Sequence, residues 1–241
     1  MYSILDLFSG IGGFSLGLHS ASDKFYTTAF CEIEEFCQAV LKKNFKNIPI
    51  FSDIKELNEK TLKAAGAVKP FIITGGYPCQ PFSVAGRKRG KDDPRNIWSE
   101  MFRLIKELKP VWVLAENVEG HIKLGLDKVL YDLESQNYTT QTFIIPATGV
   151  GANHQRKRLW IVAHSDSKRG CLWKTDRQDA KDVRKSSRSS DRNWNIEPNV
   201  GRVADGVASR VDRLKGLGNA IVPQVAYGIM KLIRDVNSKD D

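Results

Sequence analysis

Cys79 is the residue in this chain best suited to nucleophilic chemistry. It lies in GGYPCQPFS, directly after the apolar run FIITGG. A strand ending there sets the thiol at the carboxyl edge of a sheet, where open α/β sheets hold their ligands. A thiolate at such an edge can attack an electrophilic carbon and form a covalent intermediate. A structural cysteine is instead expected inside an apolar run, as Cys31 and Cys37 nearly are. Glu116, in AENVEG, follows the apolar run VWVL and reaches the same edge. Such a carboxylate is either a helix cap or, when partly buried, an acid whose raised pKa lets it hold a proton for donation. Arg156 and Arg158 alternate across the mouth of a further strand in NHQRKRLWIVA, and alone they read as a basic strand start.

A second constellation is suited to binding. DLFSGIGGFSLGL is a glycine-rich turn between a strand and a helix. It lets a ligand approach the backbone and sets it near a positive helix N-terminus, although glycine turns also serve packing alone. Glu32, at the end of a second strand, is where the ribose hydroxyls of an adenosine cofactor would find an acceptor. Asp53, after a third, could accept from an adenine amino group. Either carboxylate alone reads equally as a surface group. The stretch after Cys79, through Arg95, is rich in glycine and arginine and has no apolar face. It reads as a mobile lid able to touch phosphates.

The elements that must position these residues alternate. From Ile4 to about Ala163, the short apolar runs SILDLF, TAFCEI, FIITGG, VWVLAEN, YTTQTFIIP and RLWIVA read as strands. EEFCQAVLKKNF and NIWSEMFRLIKEL show helical spacing, with basic residues near their ends. This is the rhythm of a mostly parallel sheet with helices on both faces, an α/β fold. We expect a catalytic and cofactor-binding unit over residues 1–163, a basic, loop-rich insert over 164–199, and a segment over 200–236 whose helix after Pro223 packs back on the first unit. A polar tail, 237–241, follows.

The net charge of +9 is uneven: residues 151–215 hold 16 Lys and Arg against 8 Asp and Glu, so the rest of the chain is nearly neutral. A polyanionic partner fits this pattern, as does a solvated loop region. No window approaches the roughly 20 apolar residues that a membrane span requires, and the start MYSILDLFSG does not read as a signal peptide. Four scattered cysteines make no disulfide framework, and no CxxC or HxxxH spacing offers a zinc site. The expectation is a cytoplasmic monomer with reduced thiols.

Taken together and in order, DLFSGIGGF, PCQPFS, ENVEG, the HxRxR of His154 to Arg158, and RLKGLGNAIVP resemble the cytosine-5 DNA methyltransferase family. These motifs cover nearly the whole chain apart from about Ala163 to Asn199. The resemblance implies a Rossmann-like S-adenosylmethionine-dependent methyltransferase fold and methylation of carbon 5 of a cytosine flipped out of double-stranded DNA. It implies catalytic roles for Cys79, Glu116, Arg156 and Arg158: attack on carbon 6 by the thiolate, proton donation toward N3, and support of the base. Neighbouring arginine charge should lower the Cys79 pKa below the free value of about 8.5.

By the same resemblance the cofactor is held by Phe8, Gly10, Ile11, Gly12 and Gly13 of the turn, by Glu32, Ile33, Asp53 and Ile54, and by Pro78 and Asn219. Gln80, Ser83, Arg87, Arg89 and Arg95, with Arg184, Lys185 and Arg188 of the insert, are expected to contact DNA. No metal is needed, because the sulfonium already activates the methyl group. Two features depart from the family pattern. His154 stands where many members carry glutamine, and the insert is short for a target-recognition region. An RNA-directed member of the family and an inactive DNA-binding scaffold are the alternatives.

Overall fold

The computed structural model describes residues 1–78, 97–165 and 210–237, except for the side chains of residues 210 and 214. The apolar runs become strands β1 (Tyr2–Leu7), β2 (Phe25–Cys31), β4 (Ile72–Gly75), β5 (Trp112–Val118), β6 (Thr139–Ile145) and β7 (Arg158–His164), with a two-residue β3 (Ile50–Phe51). They form one seven-stranded sheet of order β3-β2-β1-β4-β5-β7-β6. Strands β1 to β5 are mutually parallel, whereas β7 runs antiparallel to both β5 and β6. A parallel return would need a crossover of a dozen or more residues, usually helical. The connection from β6 to β7 contains no crossover helix, only a 3₁₀ turn, Ala147–Val150, and the chain returns antiparallel beside β6.

Helices cover both faces. On one, α3 (Glu59–Ala64), α4 (Ile97–Leu108) and α6 (Leu126–Glu134) pack over Leu5, Ile73 and Val113. Helix α4 shows why it forms: Trp98, Met101, Leu104, Ile105 and Leu108 recur on one stripe, and all are buried. On the opposite face, α1 (Gly13–Ala21) and α8 (Pro223–Asn237) pack over Ile4, Ile72 and Trp112. Val225, Ile229, Met230 and Ile233 of α8 are buried there. Each contributes about 1.5–3 kcal/mol of transfer free energy. The C-terminal helix therefore shares a core with β1 and β4. The remaining helices are α2 (Glu35–Asn44), α5 (His121–Leu124) and α7 (Arg210–Asn219). Among the described residues no helix is long and apolar enough to cross a membrane.

Candidate active site

Strand order reverses between β1 and β4, and a parallel sheet opens a crevice at such a point. The ends of β1, β2, β4 and β5, with the start of β7, surround a cleft of about 640 Å³ there. That volume is in the range of small-molecule and cofactor sites. Helix α7 and the turn after it close one side through Lys215, Gly216, Asn219 and Ile221.

At the β5 side, Glu116 pairs across the ladder with Trp160, which makes Arg158 its diagonal neighbour on the same face. Arg158 Nε lies 3.0 Å from Glu116 Oε1. Glu116 is 8% exposed, and burial raises its pKa above the ordinary value, against the opposing pull of the Arg158 and Arg156 guanidiniums. Arg156 points elsewhere. Its guanidinium donates 2.8 Å hydrogen bonds to the carbonyls of Gly218 and Ala220, on either side of Asn219. Its backbone sits at φ 27°, a strained conformation for a side-chain-bearing residue.

On the opposite wall, Glu32 is buried at the end of β2 and accepts from the N–H of Gly10 at 2.6 Å and from that of Glu34 at 2.8 Å. The carboxylate thus ties the glycine turn to the second strand and keeps lone pairs for a hydroxyl donor in the cleft. Asp53 accepts from the N–H of Lys55 and caps the 3₁₀ turn Ile54–Glu56. The glycines divide their labour. Gly10, at φ 52°, has open space where a Cβ would point. A Cβ on Gly12 would lie 2.5 Å from the Phe45 ring, one on Gly13 2.8 Å from Ile221, and one on Gly17 2.5 Å from the Pro223 carbonyl. Beyond Gly10 the motif therefore serves close packing of α1 at least as much as the ligand.

Beneath the turn, Asp6 is fully buried and accepts from Ser15 Oγ at 2.8 Å and Thr74 Oγ1 at 2.9 Å. Burial pushes its pKa from the ordinary 3.8 to about 7, with the two hydroxyls opposing. A charged residue inside SILDLF is a visible sequence signal, although its type alone assigns it no task. Cys31 and Cys37 line the cleft as well. Burial, helped by the Glu32 charge, pushes their thiols up to about 12 and about 11, so both stay protonated near neutrality.

Of the residues expected in the site, Phe8, Gly10, Gly13, Glu32, Ile33, Asp53, Ile54, Pro78, Glu116, Arg156, Arg158 and Asn219 line this one cleft. Ile11 and Gly12 are not part of its wall. Cys79, Gln80, Ser83, Arg87, Arg89, Arg95, Arg184, Lys185 and Arg188 lie outside the described residues. Pro78, one peptide bond before Cys79, is on the cleft wall. Sequence reasoning did not single out Tyr77 or Lys215, which lines the mouth and pairs with Glu34 at 2.7 Å. Among the described residues no three His, Cys, Asp or Glu side chains gather as a metal site would require.

Residues 2–211 match the family described as C-5 cytosine-specific DNA methylase. The chain is 37% identical over 166 residues to the type II methyltransferase M1.ScrFI of Lactococcus lactis subsp. cremoris, covering 67% of this chain and 41% of that protein. It is 30% identical to M.AquIA of Picosynechococcus, covering 67% of this chain and 71% of the relative. Among solved structures, a DNA modification methyltransferase encoded within an E. coli prophage superposes with a TM-score of 0.58 at 29% identity, over 68% of this chain and 47% of that one. DNMT2 of Spodoptera frugiperda superposes with a TM-score of 0.59 at 25% identity, over 68% and 50%. The chain thus spans about half or less of the length of most of these relatives.

Proposed function

Because the chain belongs to the C-5 cytosine-specific DNA methylase family, we propose that it transfers the methyl group of S-adenosylmethionine to carbon 5 of a cytosine flipped out of double-stranded DNA. One observation carries this reading. Glu116, buried and paired to Arg158 at 3.0 Å, shares a cleft wall with Pro78, the residue bonded to Cys79. In this reading the thiolate of Cys79, next in sequence to Pro78, works beside that acid and that cation.

The cofactor fits the other half of the cleft by its chemistry. Open space above Gly10 admits a ligand close to the backbone. Glu32 and Asp53 offer acceptors on its wall, of the kind suited to ribose hydroxyls and an adenine amino group. Phe8 and Ile33 supply apolar wall, and Asn219 meets them from the C-terminal turn. When bound, S-adenosylmethionine supplies an electrophilic methyl group on a sulfonium.

The chain's own residues do the remainder. The Cys79 thiolate adds to carbon 6 of the base while Glu116 delivers its proton to N3, so the ring becomes an enamine with a carbon 4–carbon 5 double bond and a nucleophilic carbon 5. Arg158 holds the Glu116 carboxylate in place and stabilises charge on the base beside it. After methyl transfer to carbon 5, the carbon 5 proton passes to solvent, the carbon 6–sulfur bond breaks to return the thiolate, and N3 gives its proton back to Glu116. Arg156 serves this scheme as a positioning residue, since its hydrogen bonds reach the backbone around Asn219. A location beside genomic DNA, in the cytoplasm of a bacterial or phage-infected cell, belongs to the same proposal.

The test is transfer of a labelled methyl group from S-adenosylmethionine to unmethylated duplex DNA, followed by base analysis, with Cys79→Ala alongside. Formation of 5-methylcytosine by the parent protein alone supports the reading. Label in RNA and not in DNA would change the substrate. No label in either, with cofactor binding retained, would leave a DNA-binding scaffold.

A further inference from the structure

The backbone ladder that carries the chain toward Cys79 stops early. The last β4–β5 pair is Gly75 with Ala115, while β5 continues to Val118 against β7. Residues 76–78 therefore cross the site without strand pairing to β5. Side chains take over that task. Gly76 approaches Glu116 so closely that a Cβ there would lie 3.3 Å from Oε2. On the other face, Asn117 Nδ2 donates to the carbonyl of Tyr77 at 3.1 Å.

The Tyr77 side chain is fixed as well. It is 3% exposed, its ring packs on Trp98 with centroids 5.1 Å apart, and Trp98 Nε1 donates to Asp132 at 2.8 Å. Its hydroxyl meets Nε2 of His121, at the start of α5, at 2.9 Å. The two rings stand edge to face at 5.3 Å. His121 is buried in turn, and a Cβ on Gly125 would lie 2.9 Å from its Cε1, so the glycine makes room for the ring. A phenylalanine would fill the Tyr77 space equally well. The hydroxyl and the imidazole add a directional bond between the segment leading to Cys79 and the one that follows Glu116 and Asn117.

The geometry points to Tyr77 and His121 as a positioning pair: the hydrogen bond between them fixes, beside Glu116, the Tyr77–Pro78 backbone that leads directly to Cys79 in sequence, and so governs the rate of thiolate attack on the base. This rests on the function proposed above. Cys79 follows Tyr77 by two residues, so a displacement at Tyr77 passes to the thiol with little chain to absorb it. Neither residue touches the reacting atoms, and their effect is confined to the attack step. Cofactor binding rests on Glu32 and Asp53 of the far wall as well as on Pro78, so it should change far less than the attack.

The experiment uses the full chain and duplex DNA synthesised with 5-fluorocytosine in place of cytosine. With S-adenosylmethionine present, the methylated carbon 5 bears fluorine in place of a removable proton, so elimination stops and the adduct of Cys79 with carbon 6 persists; its formation rate reports attack together with methyl transfer. Parent, Tyr77→Phe, His121→Phe and the double variant are compared, with kcat on ordinary DNA, KM for S-adenosylmethionine and thermal midpoint measured together. We expect each single variant to slow adduct formation about tenfold, as small misplacements of a reacting group do, with the cofactor KM within about twofold of the parent. The double variant should be no slower than the slower single, because both remove one bond. Parent-like adduct rates in Tyr77→Phe, additive losses in the double variant, or losses that vanish well below the thermal midpoint would each overturn the pair's role and leave the methyltransferase reading standing. A parent protein that forms neither adduct nor methylated product overturns that reading, and the pair's role with it.

Discussion

Glu116 owes its usefulness to the strand that ends around it. Burial favours the protonated form, and Arg158 at 3.0 Å limits how far that preference goes. Glu116→Gln keeps the shape and removes the transferable proton, so kcat should fall about 10²- to 10³-fold with the cofactor KM little changed. Steady-state kinetics with both substrates decide it, and an equal rise in KM would point to a binding role. Asp6 makes a prediction of a different kind. Its folded pKa of about 7 lies above the ordinary 3.8, so the folded chain binds a proton there that the unfolded chain releases. The stability this contributes is complete below about pH 4 and is lost as pH rises through about 7, with a ceiling of about 4 kcal/mol. In urea unfolding at pH 5 and pH 8, the parent should therefore lose stability relative to Asp6→Asn as pH rises. A constant difference between the two proteins would remove Asp6 as the source.

At the scale of elements, the contact between α1 and α8 decides whether the cleft has a fourth wall. Gly17 admits the Pro223 carbonyl to a position where a Cβ would lie 2.5 Å away. Gly17→Ala must push the helices apart, and we expect a loss of about 1–3 kcal/mol, as overpacked cores show. The cofactor should bind more weakly in the same variant, because Ile221 and Asn219 move with α8. Calorimetry against titration of the cofactor separates the two effects, and weakened stability with unchanged cofactor affinity would detach α8 from the site. Arg156 links the same segment to β7 through the Gly218 and Ala220 carbonyls. Arg156→Met should accordingly raise the cofactor KM as well as lower kcat, whereas a residue acting on the base alone would lower kcat.

For the whole molecule, the charge imbalance is the feature with a measurable reach. Residues 151–215 carry 16 basic against 8 acidic side chains, and a polyanion bound there releases counterions in proportion to the phosphates neutralised. Replacing Arg184, Lys185 and Arg188 together by uncharged residues should lower the slope of log affinity against log salt by about 1 for each phosphate that no longer meets a cation. An unchanged slope in a filter-binding series would remove these residues from the interface. Under the proposed function, mapping the methylated sites gives the DNA sequence that is recognised.

Much of this was legible in residue types and spacing. Apolar runs of strand length, each closed by a chemically capable residue, put Cys79 and Glu116 at one sheet edge and Glu32 at the end of a second strand, because a parallel sheet aligns its carboxyl ends; of these, Glu32 and Glu116 line one cleft, and Cys79 lies outside the described residues. Tertiary structure alone decided the finer assignments. Arg156 and Arg158 are two apart on one motif, yet one pairs with Glu116 and the other holds the C-terminal turn, since a side chain's direction depends on backbone angles that sequence does not display. The glycine turn read as a ligand turn or as packing, and only the positions of Phe45, Ile221 and Pro223 show how closely Gly12, Gly13 and Gly17 stand to neighbouring segments. Tyr77 and His121, 44 residues apart, became partners through the fold. Local pattern determines which elements form and which ends they present, while contacts between distant elements depend on how the whole chain closes around its core.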